Sequence, residues 1–112
     1  VKFIFPNEHS IFLHDTPQKN LFNSAQRTFS HGCIRMENPE TFAALLLKDR
    51  QEWPLARMQE VMHQGKEEIV TLTNKIPVAI LYFTFLVSPT GVPVFYEDIY
   101  GRDEELLLLL KK

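Results

Sequence analysis

The chain contains one cysteine, Cys33, set in the run "FSHGCIRM" at 29–36. A thiol does acyl chemistry when a base takes its proton, another group orients that base, and donors face the oxyanion formed on attack. Residues suited to each part are present. His14 and His31 are the candidate bases. Gly32 allows close approach of a substrate to the backbone and leaves amide N–H groups free to face an oxyanion. Arg35 brings a fixed positive charge that can stabilise a thiolate or hold a carboxylate. If 32–36 is extended, side-chain alternation places Cys33 and Arg35 on one face, with His31 in line with them. His14, at the end of a strand, can fold back beside them.

The same residues admit plainer readings. Free cysteines are among the most buried residue types, so Cys33 taken alone fits a core position as well as a nucleophilic one. Arg35 fits half of a surface ion pair. His14, His31 and Cys33 formally make a His2Cys zinc set, although two ligands two residues apart on a strand are unusual. His9 and His63 lie outside the pattern and are expected to face solvent. Trp53, Met58 and Met62 are expected in the core.

The elements that must position these residues are short. "VKFIF" (1–5) is β-branched and aromatic and ends in a turn at Pro6 and Asn7, and "SIFLH" (10–14) is a second strand that ends at His14. The stretch 15–31 is rich in turn formers and reads as a long loop, a length that in a compact domain usually carries function. "ENPETFAALLLKD" reads as a helix, with Asn38 as cap, Pro39 and Glu40 in the first turn, and Phe42, Leu45 and Leu46 as its apolar stripe. "WPLARMQEVMHQG" reads as a second helix, opened by Pro54 and followed by Gly65, with Leu55, Met58, Val61 and Met62 on one face. Together they form a helical insertion over 38–65.

Beyond it, "EEIVTLT" (67–73) alternates like a half-buried strand, and "VAILYFTFLV" (78–87) suits a central strand covered on both faces. "SPTG" (88–91) is a turn, and "VPVFYE" (92–97) closes a hairpin, with Pro93 pointing to an edge. "DEELLLLLKK" ends the chain as a short helix, acidic first and basic last. The expected fold class is mainly β with a helical insertion, α+β, in a single domain over 1–112.

Composition narrows the partners. A net charge of -2 implies no broad cationic field, so nucleic acid is a poor partner. A lone cysteine excludes an internal disulfide and a multi-cysteine zinc knuckle. No segment has the roughly eighteen apolar residues needed to span a bilayer. The chain opens without an initiator Met or the layout of a signal peptide, and is expected to be cut from something longer.

The spaced pattern is more specific than any single residue. "IFLHDTP", the gap 15–29, and then "SHGCIRM" resemble the signature of the L,D-transpeptidase catalytic domain, the YkuD family. The flanks "KFIFPN", "NP" and "DIYGRD" are similar to the larger periplasmic members of YcbB type. The resemblance implies a β-sandwich, here lacking its upstream strands. It implies a cysteine acyltransferase of peptidoglycan without metal or organic cofactor. Cys33 would form a thioester with a tetrapeptide stem and release D-Ala. An amine of a second stem, a lipoprotein lysine or water would then resolve it, in the first case to a 3→3 cross-link. His14 would be the base, with His31 in a supporting place. Backbone N–H groups at Gly32 and Cys33 would hold the oxyanion, and Arg35, with Ser30, would bind the stem. In that family the base is often oriented by a backbone carbonyl, so Asp15 is not assigned to catalysis. Carbapenems are the expected covalent inhibitors and the periplasm or cell envelope the expected location. The alternative is a non-catalytic remnant that binds peptidoglycan or a partner, or self-associates, through an exposed sheet edge.

Overall fold

The computed structural model describes residues 1–112. Contacts divide them into two compact units, Val1–Ile76 and Pro77–Lys112.

The first unit begins with β1 (Lys2–Phe3) and β2 (Leu13–His14), paired antiparallel with Lys2 opposite His14. One side chain shapes the turn between them. Asn7 Nδ2 donates to the carbonyls of Phe5 (3.0 Å) and Ile11 (2.7 Å), and Asn7 Oδ1 accepts from the N–H groups of His9 (3.0 Å) and Ile11 (2.9 Å). Such local bonding is what makes Asn a turn former. Within that turn Ser10 takes a positive φ of 54°. β3 (Ile34–Arg35) then joins β2 in parallel, with Leu13 opposite Ile34 and His14 opposite Arg35, giving the order β1-β2-β3.

A parallel pair requires a long crossover, and the segment read as a loop supplies it. That segment is not featureless. It contains a 3-10 helix, Lys19–Asn23, and Lys19 Nζ ties it to Asp15 Oδ1 (2.7 Å) and to the carbonyls of Met36 (3.2 Å) and Glu37 (2.6 Å).

Two helices pack behind the sheet, α1 (Pro39–Leu46) and α2 (Leu55–His63). Pro39 and Glu40 sit in the first turn as expected, but Asn38 makes no side-chain capping bond. Ala43, Leu47, Trp53 and Met58 form the buried core, with Phe3, Val61, Met62, Val70 and Leu72 packed against it. The Phe3 and Phe42 rings meet edge to face at 4.9 Å and join β1 to α1. Leu45 and Leu55, assigned to inner faces, are more than half exposed; Ala43 and Leu47 take the inward positions instead. Gly65, just past α2, has φ 67° and ends that helix as read.

The strand expected at 67–73 does not form. Val70 and Leu72 do turn toward the core while Ile69 is 86% exposed, so the alternation is real. No neighbouring strand presents a ladder to this backbone, and without one an alternating segment remains irregular.

In the second unit, the expected ten-residue central strand shrinks to β4 (Phe85–Val87), which pairs antiparallel with β5 (Pro93–Phe95) around the turn at 88–91. Its residues are exposed rather than covered on both faces, because β5 is its single partner in a two-stranded sheet. α3 (Arg102–Leu110) follows, with three acidic residues in its first turn. Tyr82 Oη donates to Asp98 Oδ1 (2.6 Å), and the second Asp98 oxygen accepts from the Asp103 N–H (2.8 Å), which pins the start of α3. The architecture is thus mixed α+β, with helices rather than strands as the longer elements. No helix is long and apolar enough to cross a membrane.

Candidate active site

His14 ends β2, half-buried, and its ring is held at both sides. Nδ1 lies 2.6 Å from the Asp15 carbonyl oxygen. A carbonyl can only accept, so Nδ1 carries the proton and Nε2 of the neutral ring keeps its lone pair. The Phe12 ring packs edge-on at 5.7 Å. The Asp15 carboxylate is engaged elsewhere: it pairs with Lys19 at 2.7 Å. That hydrogen bond, helped by the Thr16 N–H, holds its carboxyl below the usual carboxylate range. The ring is therefore oriented by a backbone carbonyl and not by an acid.

Cys33 immediately precedes β3. Along 33–35 the exposure alternates from half-buried Cys33 to exposed Ile34 to half-buried Arg35. Cys33 and Arg35 thus share a face, and His14 is Arg35's direct partner in the register. The thiol Sγ is directed at the Ser10 carbonyl, at 4.0 Å, and makes no hydrogen bond to either histidine.

Ser30 and Gly32 shape the approach to the thiol. Ser30 Oγ donates to the Cys33 carbonyl at 2.5 Å and accepts from the Gly32 N–H at 3.2 Å. Gly32 has φ 154°, a value that L side chains rarely adopt, so a glycine is required at this bend. The Gly32 N–H is therefore already engaged, whereas the Cys33 N–H has no hydrogen-bond partner. The bend also corrects the expected alignment of His31. Residues 30–32 are not extended, so alternation stops at Cys33, and His31 is an exposed ring with no hydrogen bond.

Arg35 does not make the ion pair that a plain surface reading would give. The three ion pairs are Lys19–Asp15, Arg50–Glu52 and Arg57–Glu68. Arg35 Nη1 donates instead to a neutral amide oxygen, Gln18 Oε1, at 2.9 Å. His14, His31 and Cys33 do not gather as a metal-ligand set, nor do any three His, Cys, Asp or Glu residues. His9 and His63 are exposed as expected, and Trp53 and Met58 are core.

Three residues at this site escaped the sequence reading. Asn7, Ser10 and Gln18 act through contacts to Ile11, Cys33 and Arg35. Only the Pro6-Asn7 turn signal hinted at the first. The other two pair across 23 and 17 positions, which no local pattern reveals.

Compared with known proteins, residues 1–79 match the family model YkuD, described as the L,D-transpeptidase catalytic domain. A curated protein of Haemophilus influenzae, provisionally named an L,D-transpeptidase, is 36% identical over 107 residues. The matched region is 96% of this chain and 22% of that protein, so the chain spans about a fifth of its relative's length.

Proposed function

From the premise that the chain belongs to the L,D-transpeptidase catalytic-domain family, we propose that it carries the nucleophile, base and carboxylate-binding residues of a peptidoglycan acyl transfer. Cys33 is the nucleophile and His14 the base. The reading is supported by one arrangement: the sole thiol immediately precedes β3, whose Arg35 pairs in register with His14, an imidazole oriented through Nδ1.

The thiol turns from the Ser10 carbonyl toward His14 Nε2, and the imidazole takes its proton. Catalytic hydrogen bonds are often open in the absence of substrate and close in the complex. The thiolate attacks the carbonyl that joins diaminopimelate to the terminal D-Ala of a tetrapeptide stem. The Cys33 N–H, unpaired in this loop, faces the oxyanion. The C–N bond breaks, the imidazolium returns its proton to the departing D-Ala amine, and a thioester remains. An amine of a second stem attacks that thioester, loses its proton to His14, and restores the thiol. Arg35 binds a stem carboxylate through the N–H donors that Gln18 leaves free. Under this reading the protein works in the cell envelope, where the stems are.

The test is intact mass spectrometry after incubation with a carbapenem. One covalent adduct per chain is expected, absent from Cys33→Ala. Acyl transfer retained in Cys33→Ala would exclude covalent catalysis by this residue.

A further inference from the structure

Two cations stand near the ends of β2 and β3, and they are treated differently. The Lys19 ammonium is fully engaged, by the Asp15 carboxylate at 2.7 Å and by the carbonyls of Met36 and Glu37. The Arg35 guanidinium meets no carboxylate at all. Its polar partner is Gln18 Oε1, 2.9 Å from Nη1. Gln18 and Lys19 are adjacent in sequence, so one short segment neutralises the first cation and leaves the second charged.

That segment is built to be stiff. The Gln18 N–H donates to Thr16 Oγ1 at 3.2 Å, and Thr16 is a buried polar residue, 5% exposed. The Thr16 N–H in turn donates to Asp15 Oδ1 at 2.7 Å. The Gln18 side chain thus reaches Arg35 from a residue whose own N–H is bonded to Thr16 and whose successor, Lys19, is tied through its side chain. A guanidinium has five N–H donors in a fixed fork. A single amide acceptor occupies one of them, fixes the plane of the fork, and leaves the rest for a bidentate partner. A carboxylate in the same place would orient the fork equally well but would cancel its charge.

We propose that Gln18 is a positioning residue that sets donor specificity: it aims Arg35 while leaving its positive charge for a free carboxylate of the peptide donor. The inference rests on the acyl-transfer reading above, in which Arg35 receives that carboxylate. His14 lies directly opposite Arg35 in the register, so a donor anchored there is held beside the base. Neutrality at position 18 is then the feature that favours an ionised donor over its amide.

The test compares donor stems that differ in having each carboxylate free or converted in turn to a primary amide, using the intact protein and saturating acceptor. Arg35→Ala is expected to abolish the preference for the free carboxylate. Gln18→Glu should raise KM for the free-carboxylate donor roughly tenfold or more, the range of a charge-assisted hydrogen bond, with kcat little changed and the amidated donor little affected. Gln18→Leu, which removes the aim but not the charge, should raise KM for the same donor by a smaller factor. Cys33 labelling by neutral iodoacetamide should be unchanged in both Gln18 variants, which a general loss of structure would not allow. If Arg35→Ala loses the preference and both Gln18 variants keep the parent's, the role of Gln18 is overturned while that of Arg35 stands. If Arg35→Ala keeps the parent's preference for the free carboxylate, the premise itself falls. Equal losses on both donors in Gln18→Leu would reduce Gln18 to a structural residue and also overturn the proposal.

Discussion

Two histidines flank the cysteine in sequence, but only His14 has the ring fixed. Its Nδ1 is committed to the Asp15 carbonyl, whereas His31 is exposed and makes no hydrogen bond. General-base catalysis contributes about 10²–10⁴-fold. His14→Ala is therefore expected to slow acyl transfer by an amount in that range, and His31→Ala by roughly tenfold at most, measured as steady-state kcat/KM. A larger loss in His31→Ala would exchange their roles. Ser30 also acts through the backbone, joining the Gly32 N–H to the Cys33 carbonyl. All three residues are reachable by water, so Ser30→Ala should change stability by no more than about 1 kcal/mol. Thiol presentation should suffer more, because misplacement of a reacting group by about 1 Å costs on the order of 100-fold. The expected result is a fall of roughly 10- to 100-fold in the single-turnover rate of carbapenem acylation, with Ser30→Thr close to the parent. An unchanged rate in Ser30→Ala would mean that the bend holds without this clamp.

The segment 15–19 is the element on which the site's geometry depends, and it carries a pH dependence. Asp15 ionises below its ordinary 3.8, chiefly through the Lys19 hydrogen bond. A carboxyl depressed in the folded state stabilises that state above its unfolded value, and the contribution is lost as pH falls through the folded value. The pairing is thus intact above about pH 4 and gives way only as pH falls through the lowered folded value. Both side chains are close to half exposed, so its worth is at most about 1 kcal/mol. The predicted consequence is local. Amide shifts of residues 15–19, followed by NMR from about pH 6 to about pH 2, should show an acid transition that disappears in Asp15→Asn. An identical transition in that variant would assign the titration to another group.

All the buried residues lie in Val1–Ile76, none in Pro77–Lys112. Trp53 is the largest of them, and Arg57 stacks on its outer face with the guanidinium carbon 4.4 Å from the ring centre. Truncating a buried aromatic typically costs about 3–5 kcal/mol. The core here is thin, so Trp53→Ala should cost about 3 kcal/mol, seen in urea unfolding followed by circular dichroism. Hydrogen exchange by mass spectrometry should find the slowest amides in α1 and α2 and fast exchange across 78–83, where no ladder protects the backbone. Slow exchange over 78–83 would reveal pairing that this structure does not have.

Much of the molecule was legible without coordinates, and the reason is range. Helix starts at Pro39 and Pro54, the stop at Gly65 and the hairpin turn at 88–91 depend on interactions within about four residues, and these formed where they were read. The motif from His14 to Arg35 likewise identified the family that the chain matches. Strands are different, because a strand exists only with a partner. The alternation of 67–73 survives in the inward Val70 and Leu72, whereas the apolar run 78–83, read as covered on both faces, is exposed; without a neighbouring ladder both stayed irregular. The finer organisation of the site has the same origin. That the thiol points at Ser10, that the Gly32 N–H is consumed by Ser30 while the Cys33 N–H is not, and that Arg35 keeps its charge beside Gln18 all follow from the bend at 30–32 and from contacts across the crossover. Side-chain identity determined which chemistry is possible; the folded backbone decided which donors and charges remain free to perform it.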